Sequence, residues 1–265
     1  MQSNGLFEAL RRFTLRAGLF LAGLFFLPGA SRADILTVGC PGGNPGQFPS
    51  ITAALNALPV NSPSEPHTIQ VTGHCTENLF IANRQRIAIW APVGQTATIT
   101  AATPAAIVVH VYASRSIDLR RLIIQGGGEG VLINESQVRM EDATIQGNAN
   151  DGLHAQIGSV LDLQSSTIQN NGGNGLDVDS NSTVTVGFAP QQPVRINNNG
   201  GIGVNLDASY FQVNFGNLKV ENNTDDALDM AGGRLLLFGS GGFGGENLFQ
   251  NNGGGLNFFN CWTLQ

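Results

Sequence analysis

The sequence predicts an all-β solenoid, in which short parallel strands stack coil upon coil. A glycine or alanine followed by an apolar residue returns at intervals of 22, 23, 28, 24 and 28 residues. Each interval has room for three short strands separated by turns. Because one such coil cannot bury its own apolar side, a repeat of this kind indicates a stack. The repeated step occurs at Gly130-Val131, Gly152-Leu153, Gly175-Leu176, Gly203-Val204, Ala227-Leu228 and Gly255-Leu256.

Two further apolar series keep the same period, as stacked inward positions should. In a stack of parallel strands, equivalent inward residues lie above one another. The first series is Ile124, Ile145, Ile168, Ile196, Val220 and Phe249. The second series is Ile117, Val138, Leu161, Val184, Phe211 and Leu235.

Residues 1–33 are interpreted as a secretory signal peptide. Three arginines precede an apolar run at 17–28, and residues 31–33 provide a small-residue cleavage site. The apolar run is too short for an ordinary membrane span. An uncleaved anchor is the alternative, although no longer hydrophobic segment follows. We therefore expect a secreted, periplasmic or extracellular protein with no stable membrane span after cleavage.

The chain is acidic, with a formal charge of −6 from 13 basic and 19 acidic residues. Loss of the signal peptide would remove four arginines and one glutamate, which makes the remainder more acidic. Lys219 is the single lysine, and no basic patch is interleaved with aromatic residues. Nucleic acid is therefore not an expected partner.

Three cysteines occur in a chain expected to be exported. Cys40 and Cys75 lie in the same N-terminal region and are the candidate disulfide. Their spacing does not establish the geometry of a bridge, so the pairing stays open. Cys261 would then be left over.

Residues 34–65 are predicted to form an N-terminal cap, and residues 66–265 to form the solenoid. The cap contains one helix at 50–58, which Ser50 can cap and Pro59 ends. Such a helix would cover the open apolar core of the first coil. Its apolar face is made of Ile51, Ala54, Leu55 and Leu58.

From Ile145 onward, an asparagine recurs three residues after each member of the first apolar series. Stacked asparagines can bond each other's side-chain amides and tolerate the left-handed turn conformation. We expect one ladder at one turn, formed by Asn148, Asn171, Asn199, Asn223 and Asn252.

Residues 49–258, with their repeat, helix and recurring asparagines, resemble the pectate-lyase-like superfamily of right-handed parallel β-helix proteins. The resemblance implies a single-stranded right-handed parallel β-helix with an N-terminal capping helix and an asparagine ladder. The same scaffold carries polysaccharide lyases, hydrolases, esterases and epimerases, as well as tailspikes and adhesins. The resemblance therefore indicates the fold and leaves the activity open.

Two motifs do not complete a catalytic set. Asn223-Thr224-Asp225-Asp226 is similar to elements of polygalacturonases, but those elements normally sit on successive coils and here share one turn. Neither Gly-His-Gly nor Arg-Ile-Lys follows. A G-x-G-x-x-G match at 239–244 is followed by the next repeat and not by a helix, so it predicts a long turn and no phosphate site.

The repeat also places outward residues in columns, because side chains alternate along a strand. Neighbours within a column should lie roughly 5 Å apart, and the two columns roughly 7 Å apart. The first column is His110, Leu132, His154, Asp177, Asn205, Asp229 and Asn257. The second is Tyr112, Asn134, Gln156, Asp179, Asp207, Ala231 and Phe259.

This outward face is the candidate site. His154 and Asp177 are the candidate catalytic residues, with His154 acting as a general acid or base. Carboxylate oxygens are the ligands that Ca²⁺ prefers, and such an ion could bridge to a uronate. Asp177, Asp179 and Asp207 are therefore the candidate calcium ligands. Tyr112, Gln156, Asn205 and Asp229 are the candidate substrate-binding residues.

The same residues have a simpler interpretation, because polar outward positions also keep an exposed sheet soluble.

Three hypotheses follow for the function of the protein. The first is a secreted β-helix protein that binds carbohydrate or a surface partner through this acidic face. The second is a lyase or epimerase acting on an acidic polysaccharide. The third is a structural solenoid in an assembly, which could self-associate through its C-terminal coil with Cys261 locking the contact.

Overall fold

The computed structural model describes residues 35–59, 66–187, 192–215, 217–238, 246–260 and the backbone of 262–263. The predicted signal peptide, the connection at 60–65, most of the glycine-rich turn at 239–245 and Cys261 lie outside these residues. The described chain forms a parallel β-solenoid with one short helix. No helix in this part of the chain is long and apolar enough to cross a membrane.

Three sheets run along the stack, and each coil contributes one strand to each in the order C, A, B. Sheet C has eight strands: β3 (Leu79–Ala82), β6 (Val109–Tyr112), β9 (Val131–Asn134), β12 (Leu153–Gln156), β15 (Leu176–Val178), β18 (Val204–Asp207), β21 (Leu228–Ala231) and β24 (Leu256–Phe259).

Sheets A and B share the long strand β2 and are continuous through it. Sheet A contains β1 (Ile35–Cys40), β2 (His67–Thr76), β4 (Gln85–Trp90), β7 (Arg115–Arg120), β10 (Gln137–Glu141), β13 (Val160–Gln164), β16 (Thr183–Val186), β19 (Tyr210–Val213), β22 (Arg234–Leu237) and β25 (Trp262–Thr263). Sheet B adds β5 (Ala97–Thr100), β8 (Leu122–Gln125), β11 (Thr144–Gln146), β14 (Thr167–Gln169), β17 (Val194–Asn197), β20 (Leu218–Glu221) and β23 (Leu248–Gln250).

The strands pair in the register that the apolar series predict. Ile124 pairs with Ile145, and Ile145 with Ile168. These three side chains are fully buried, as are Ile196 and Val220 further along the series. The core is therefore a set of columns of like residues, each filled by the coil above and the coil below.

The helix α1 spans Ile51–Ala57, with Ser50 as its N-cap accepting a hydrogen bond from the Ala53 amide. Leu58, predicted as helical, is the C-cap residue. The helix packs on β1, β2 and β3. Its buried side is Ile51, Ala54 and Leu55.

Glu77 anchors this helix, a role that the sequence did not indicate. Its carboxylate accepts hydrogen bonds from the amides of Ile51 at 2.8 Å and Thr52 at 2.9 Å, and from the Thr52 hydroxyl. A carboxylate at a helix N-terminus satisfies unpaired amides and suits the helix dipole. The Cys40–Cys75 disulfide joins β1 to β2 close to this contact.

The five recurring asparagines form a continuous ladder at the turn between sheets B and C. Each of the first four donates from both its backbone amide and its side-chain amide to the side-chain oxygen of the next, at 2.9–3.1 Å. Asn148, Asn171, Asn199 and Asn223 are buried. The left-handed residues are the ones just before the ladder, such as Asn170 and Asn198, and not the ladder asparagines themselves.

A second ladder of buried serines runs along the turn between sheets C and A. The amides of Ser114, Ser136 and Ser159 each donate to the hydroxyl of the serine one coil further on. The last acceptor is Ser182. Both ladders satisfy buried turn amides that strand pairing cannot reach.

The last coil exposes residues that are inward elsewhere. Leu256 and Phe258 of β24 are 45% and 42% exposed, whereas Leu228 and Met230 at the same positions of β21 are fully buried. Self-association through this coil stays a prediction.

Replacing one asparagine of the ladder should destabilise the fold strongly. Asn171→Ala removes the acceptor for two amides of Asn148, so we expect a loss of about 3 kcal/mol in the free energy of unfolding. Gln169→Ala is the matched control, since it removes an outward side-chain amide at the end of β14, two residues before Asn171, and it should cost below about 1 kcal/mol. Urea unfolding measures both, and equal losses would contradict the ladder's role.

Candidate functional site

The predicted outward columns lie on sheet C in the expected register. His110 pairs with Leu132, Leu132 with His154, and His154 with Asp177. The column continues through Asn205 to Asp229. In the second column, Tyr112 pairs with Asn134, Asn134 with Gln156, and Asp207 with Ala231. We call these outward positions the sheet C face.

His154 lies at the centre of this face between two carboxylates. Its Nε2 is 3.1 Å from Oδ2 of Asp179, and its Nδ1 is 3.3 Å from Oε1 of Glu129. Both ring nitrogens therefore face acceptors, which is the arrangement that a doubly protonated imidazolium satisfies. Glu129 comes from the turn before β9, and Asp179 directly follows β15.

This environment changes the pKa of His154. Burial lowers the pKa, but the hydrogen bonds to Glu129 and Asp179 and the charge of Asp177 outweigh burial and raise it to about 9. At neutral pH the ring is therefore a cation. In that state it can donate a proton, whereas a general base would need the neutral ring.

Asp177 is held beside His154 by the strand register and by one side-chain bond. Asn205 donates from Nδ2 to Oδ1 of Asp177 at 2.9 Å. Burial raises the pKa of Asp177, while His154 and Asn205 partly offset that effect. Ligand atoms of Asp151, His154 and Asp177 lie within 4.8 Å of one another. We call Glu129, Asp151, His154, Asp177 and Asp179 the His154 cluster.

Asp177, Asp179 and Asp207, the candidate calcium ligands, do not form such a converging group in the described part of the chain. Asp179 turns toward His154, and Asp207 is exposed to solvent. The converging set contains a histidine nitrogen, whereas calcium takes six to eight oxygens, so that set does not fit calcium. The other converging set contains Cys40 and Cys75, which are joined in the disulfide.

An aromatic row lies at the N-terminal end of the same face. The ring of His110 is 5.0 Å from that of Phe80 and 6.3 Å from that of Tyr112, centroid to centroid. Phe80 is 57% exposed and Tyr112 is 38% exposed, so both present ring surface to solvent. Burial lowers the pKa of His110, with the charge of Glu129 acting in the opposite direction.

The remaining predicted binding residues also lie on the face, but at different distances from the cluster. Asn205 contacts Asp177 directly. Gln156 shares β12 with His154, and Asp229 lies one strand beyond Asn205. The structure thus brings together the middle of the predicted patch and leaves Asp207 and Asp229 at its C-terminal side.

Sequence reasoning missed Phe80, Glu129 and Asp151. Phe80 pairs with His110, but the first coils are too irregular for the repeat to reveal that register. Glu129 and Asp151 lie in the turn between sheets B and C, immediately before the glycine-apolar step. Acidic residues at 129 and 151 are one repeat apart, and this recurrence in the sequence could have indicated that they lie close together.

A separate open groove of about 780 Å³ runs along the asparagine ladder. Backbone and small polar residues line it, including Gly126, Gly147, Asn170, Asn198 and Asn222, and no lining residue is charged. It shares no residue with the sheet C face. The face carries the titratable and aromatic groups, so we place the candidate site there.

The chain belongs to the right-handed β-helix family, described as "Right handed beta helix region", which matches residues 94–260. The predicted all-β, right-handed parallel β-helix is thereby confirmed. No curated protein matches the sequence significantly.

Solved structures with a similar fold share little sequence. One is the pectate lyase Pel9A, with a TM-score of 0.50 and 11% identity over 78% of this chain and 71% of that one. Another is the pectin methylesterase PemA from Erwinia chrysanthemi, with a TM-score of 0.47 and 14% identity over 78% and 67%. A third is ORF18 of Geobacillus virus E2, with 0.43 and 13% over 86% and 60%. At these identities the likeness shows the fold alone.

The charge of His154 predicts a pH-dependent contribution to stability. The pKa in the folded protein, about 9, exceeds the ordinary value of 6.5. The stabilising effect of His154 should therefore be complete below about pH 6.5 and be lost as pH rises through about 9. Thermal unfolding of wild type and His154→Gln from pH 6 to pH 10, without divalent cations, measures the difference. A histidine NMR titration that places the His154 pKa at or below 6.5 would contradict this.

Proposed function

We propose that the protein is secreted and binds a linear carbohydrate along the sheet C face. The observation that carries the proposal is the continuity of this face. Eight strands in register place outward side chains in two straight columns, over a length of about 34 Å at the usual strand spacing. A flat row of this length suits an extended polymer better than a compact ligand.

The composition of the face supports a sugar ligand. Sugar rings have an apolar side that stacks on aromatic rings, and Phe80 and Tyr112 expose such rings. Sugar hydroxyls need hydrogen-bonding partners, which Gln156, Asn205 and Asp229 supply from β12, β18 and β21 of the same sheet. The polymer would lie across the strands and contact one coil after another.

A lyase or epimerase acting at the His154 cluster is the second candidate. It is favoured by the closeness of His154 to Asp151 and Asp177. The raised pKa of His154 disfavours this role, because the protonated ring must lose its own proton before it can remove one from a sugar carbon. Binding without turnover is therefore the function we place first.

Removal of the aromatic rings should weaken carbohydrate binding. For the polymer in a panel of neutral, acidic and amine-bearing chains that binds wild type, we expect Phe80→Ala or Tyr112→Ala to weaken affinity about fivefold, or ~1 kcal/mol. Tyr210→Ala, on sheet A, is the matched control and should bind as wild type does. Isothermal titration calorimetry measures the affinities.

Each chain in the panel is also titrated with calcium and with a chelator. Uronate binding that requires calcium, and that is lost on replacing Asp177, Asp179 or Asp207, would support the calcium site proposed from the sequence. Failure of every polymer to bind, or equal binding by Phe80→Ala, Tyr112→Ala and Tyr210→Ala, would overturn the proposed function.

Turnover is tested with the same polymers. We expect no unsaturated or shortened products from wild type, and we expect His154→Gln to keep its binding. Absorbance of unsaturated sugars and chain length by chromatography give the readout. Products formed by wild type and abolished in His154→Gln would favour the lyase or epimerase instead.

A further inference from the structure

The sheet C face differs from the other two sheets in its charge. None of the eight strands of sheet C contains a lysine or an arginine. Sheets A and B do contain outward arginines, and several of them pair with carboxylates. Arg120 and Arg139 share Glu141 on sheet A, and Arg195 pairs with Glu221 on sheet B. A polyanion would find no lysine or arginine on the strands of the sheet C face, and the cation there, His154, already contacts Glu129 and Asp179.

Carboxylates are concentrated in the middle of this face. Glu129, Asp151, Asp177 and Asp179 surround one cation, His154, so the carboxylates outnumber it. The negative charge that His154 leaves uncompensated would repel a uronate chain and attract a cationic one.

The hydrogen-bonding capacity of the face points the same way. Oδ1 of Asp179 and Oδ1 of Asn134 are buried and receive no hydrogen bond from the described residues. Both atoms are in the second column, on the two sides of Gln156. They are acceptors, and buried acceptors are stabilised by a donor. An ammonium group offers three donors and no acceptor, whereas a carboxylate would add acceptors.

The aromatic row provides the rest of a polymer site. Phe80 lies on β3 and Tyr112 on β6, which are two strands and one strand before β9 in sheet C. Both residues expose ring surface. Glu129 lies just before β9. The distance from β6 to β15 is about 14 Å, or three strand spacings. One extended chain can therefore stack a ring at the aromatic row and still reach Asp177 and Asp179.

From this combination we infer that the preferred ligand is an amino-sugar polymer with free amino groups. One pyranose ring stacks on Phe80 and Tyr112, and an ammonium group further along the chain binds between the carboxylates of Asp177 and Asp179. This inference rests on the proposed function and names the substrate class for the same face. Neutral chains would use only the stacking, and uronate chains would bind least.

The test compares glucosamine, N-acetylglucosamine and galacturonate hexamers, measured by calorimetry at low salt, with a chelator, and at a pH where the amines are protonated. We expect the glucosamine hexamer to bind wild type at least tenfold more tightly than the N-acetylated one, which is ~1.4 kcal/mol. Added salt should weaken the glucosamine binding selectively, since exposed charges are screened.

Variants separate the two parts of the site. Asp177→Asn and Asp179→Asn keep the shape of the side chain and should reduce glucosamine binding about fivefold each while leaving N-acetylated binding unchanged. Phe80→Ala should weaken both hexamers equally. Asp162→Asn, next to Arg139 on sheet A, is the charge-matched control and should change neither. Thermal unfolding verifies that each variant is folded.

The outcomes distinguish this inference from the proposed function. If the N-acetylated or galacturonate hexamer binds as tightly as glucosamine and Phe80→Ala weakens it, the face binds carbohydrate and the amine preference is wrong. If Asp177→Asn and Asp179→Asn bind glucosamine as wild type does, the amine preference is also wrong. If no hexamer binds, both proposals fall.

Discussion

The structure depends on the stacking of one coil on the next in register. Backbone pairing alone would permit a coil to slip, but the apolar columns and the asparagine ladder each match only one register. A slip of one residue would turn Ile145 outward and break the amide bonds of Asn148 and Asn171. The packing of the inward side chains therefore also fixes which outward side chains are neighbours. His154 lies beside Asp177 because the inward residues of the same two strands stack on each other.

This coupling explains why so much of the fold could be predicted from the sequence. A side chain such as Ile168 or Asn199 must match its counterpart in the adjacent coil, so the constraint is visible as a period. The serine ladder had the same kind of signal, at Ser114, Ser136 and Ser159, but serine is so common in turns that its recurrence did not stand out. The first coils lack a regular period, and the position of Phe80 followed only from the strand pairing.

The candidate site was less predictable, since it is formed by side chains that the repeat does not constrain. The columns brought His154, Asp177 and Asp179 to one face, and the structure shows them there. The period could not show which carboxylate turns toward His154, because that depends on side-chain torsions and on Glu129 in a turn. Asp207, one of the expected calcium ligands, is an example. It belongs to the second column, as Asp179 does, but its side chain is exposed to solvent and is separate from the His154 cluster.

Charged side chains are distributed unevenly among the three sheets, and this distribution is not a consequence of the fold. The strands of the sheet C face contain no lysine or arginine. On sheet A, Arg120 pairs with Asp118 and Glu141, and Arg139 pairs with Glu141. The fold provides a long, straight face, and under the proposed function the residues at its outward positions decide which polymer binds there.

The location of a bound oligosaccharide tests the central claim most directly. A crystal structure with a bound glucosamine hexamer should show sugar rings across sheet C, with one ring over Phe80 and Tyr112 and an amino group between Asp177 and Asp179. A hexamer in the groove along the asparagine ladder, or against sheet A, would contradict the claim that the sheet C face is the binding site.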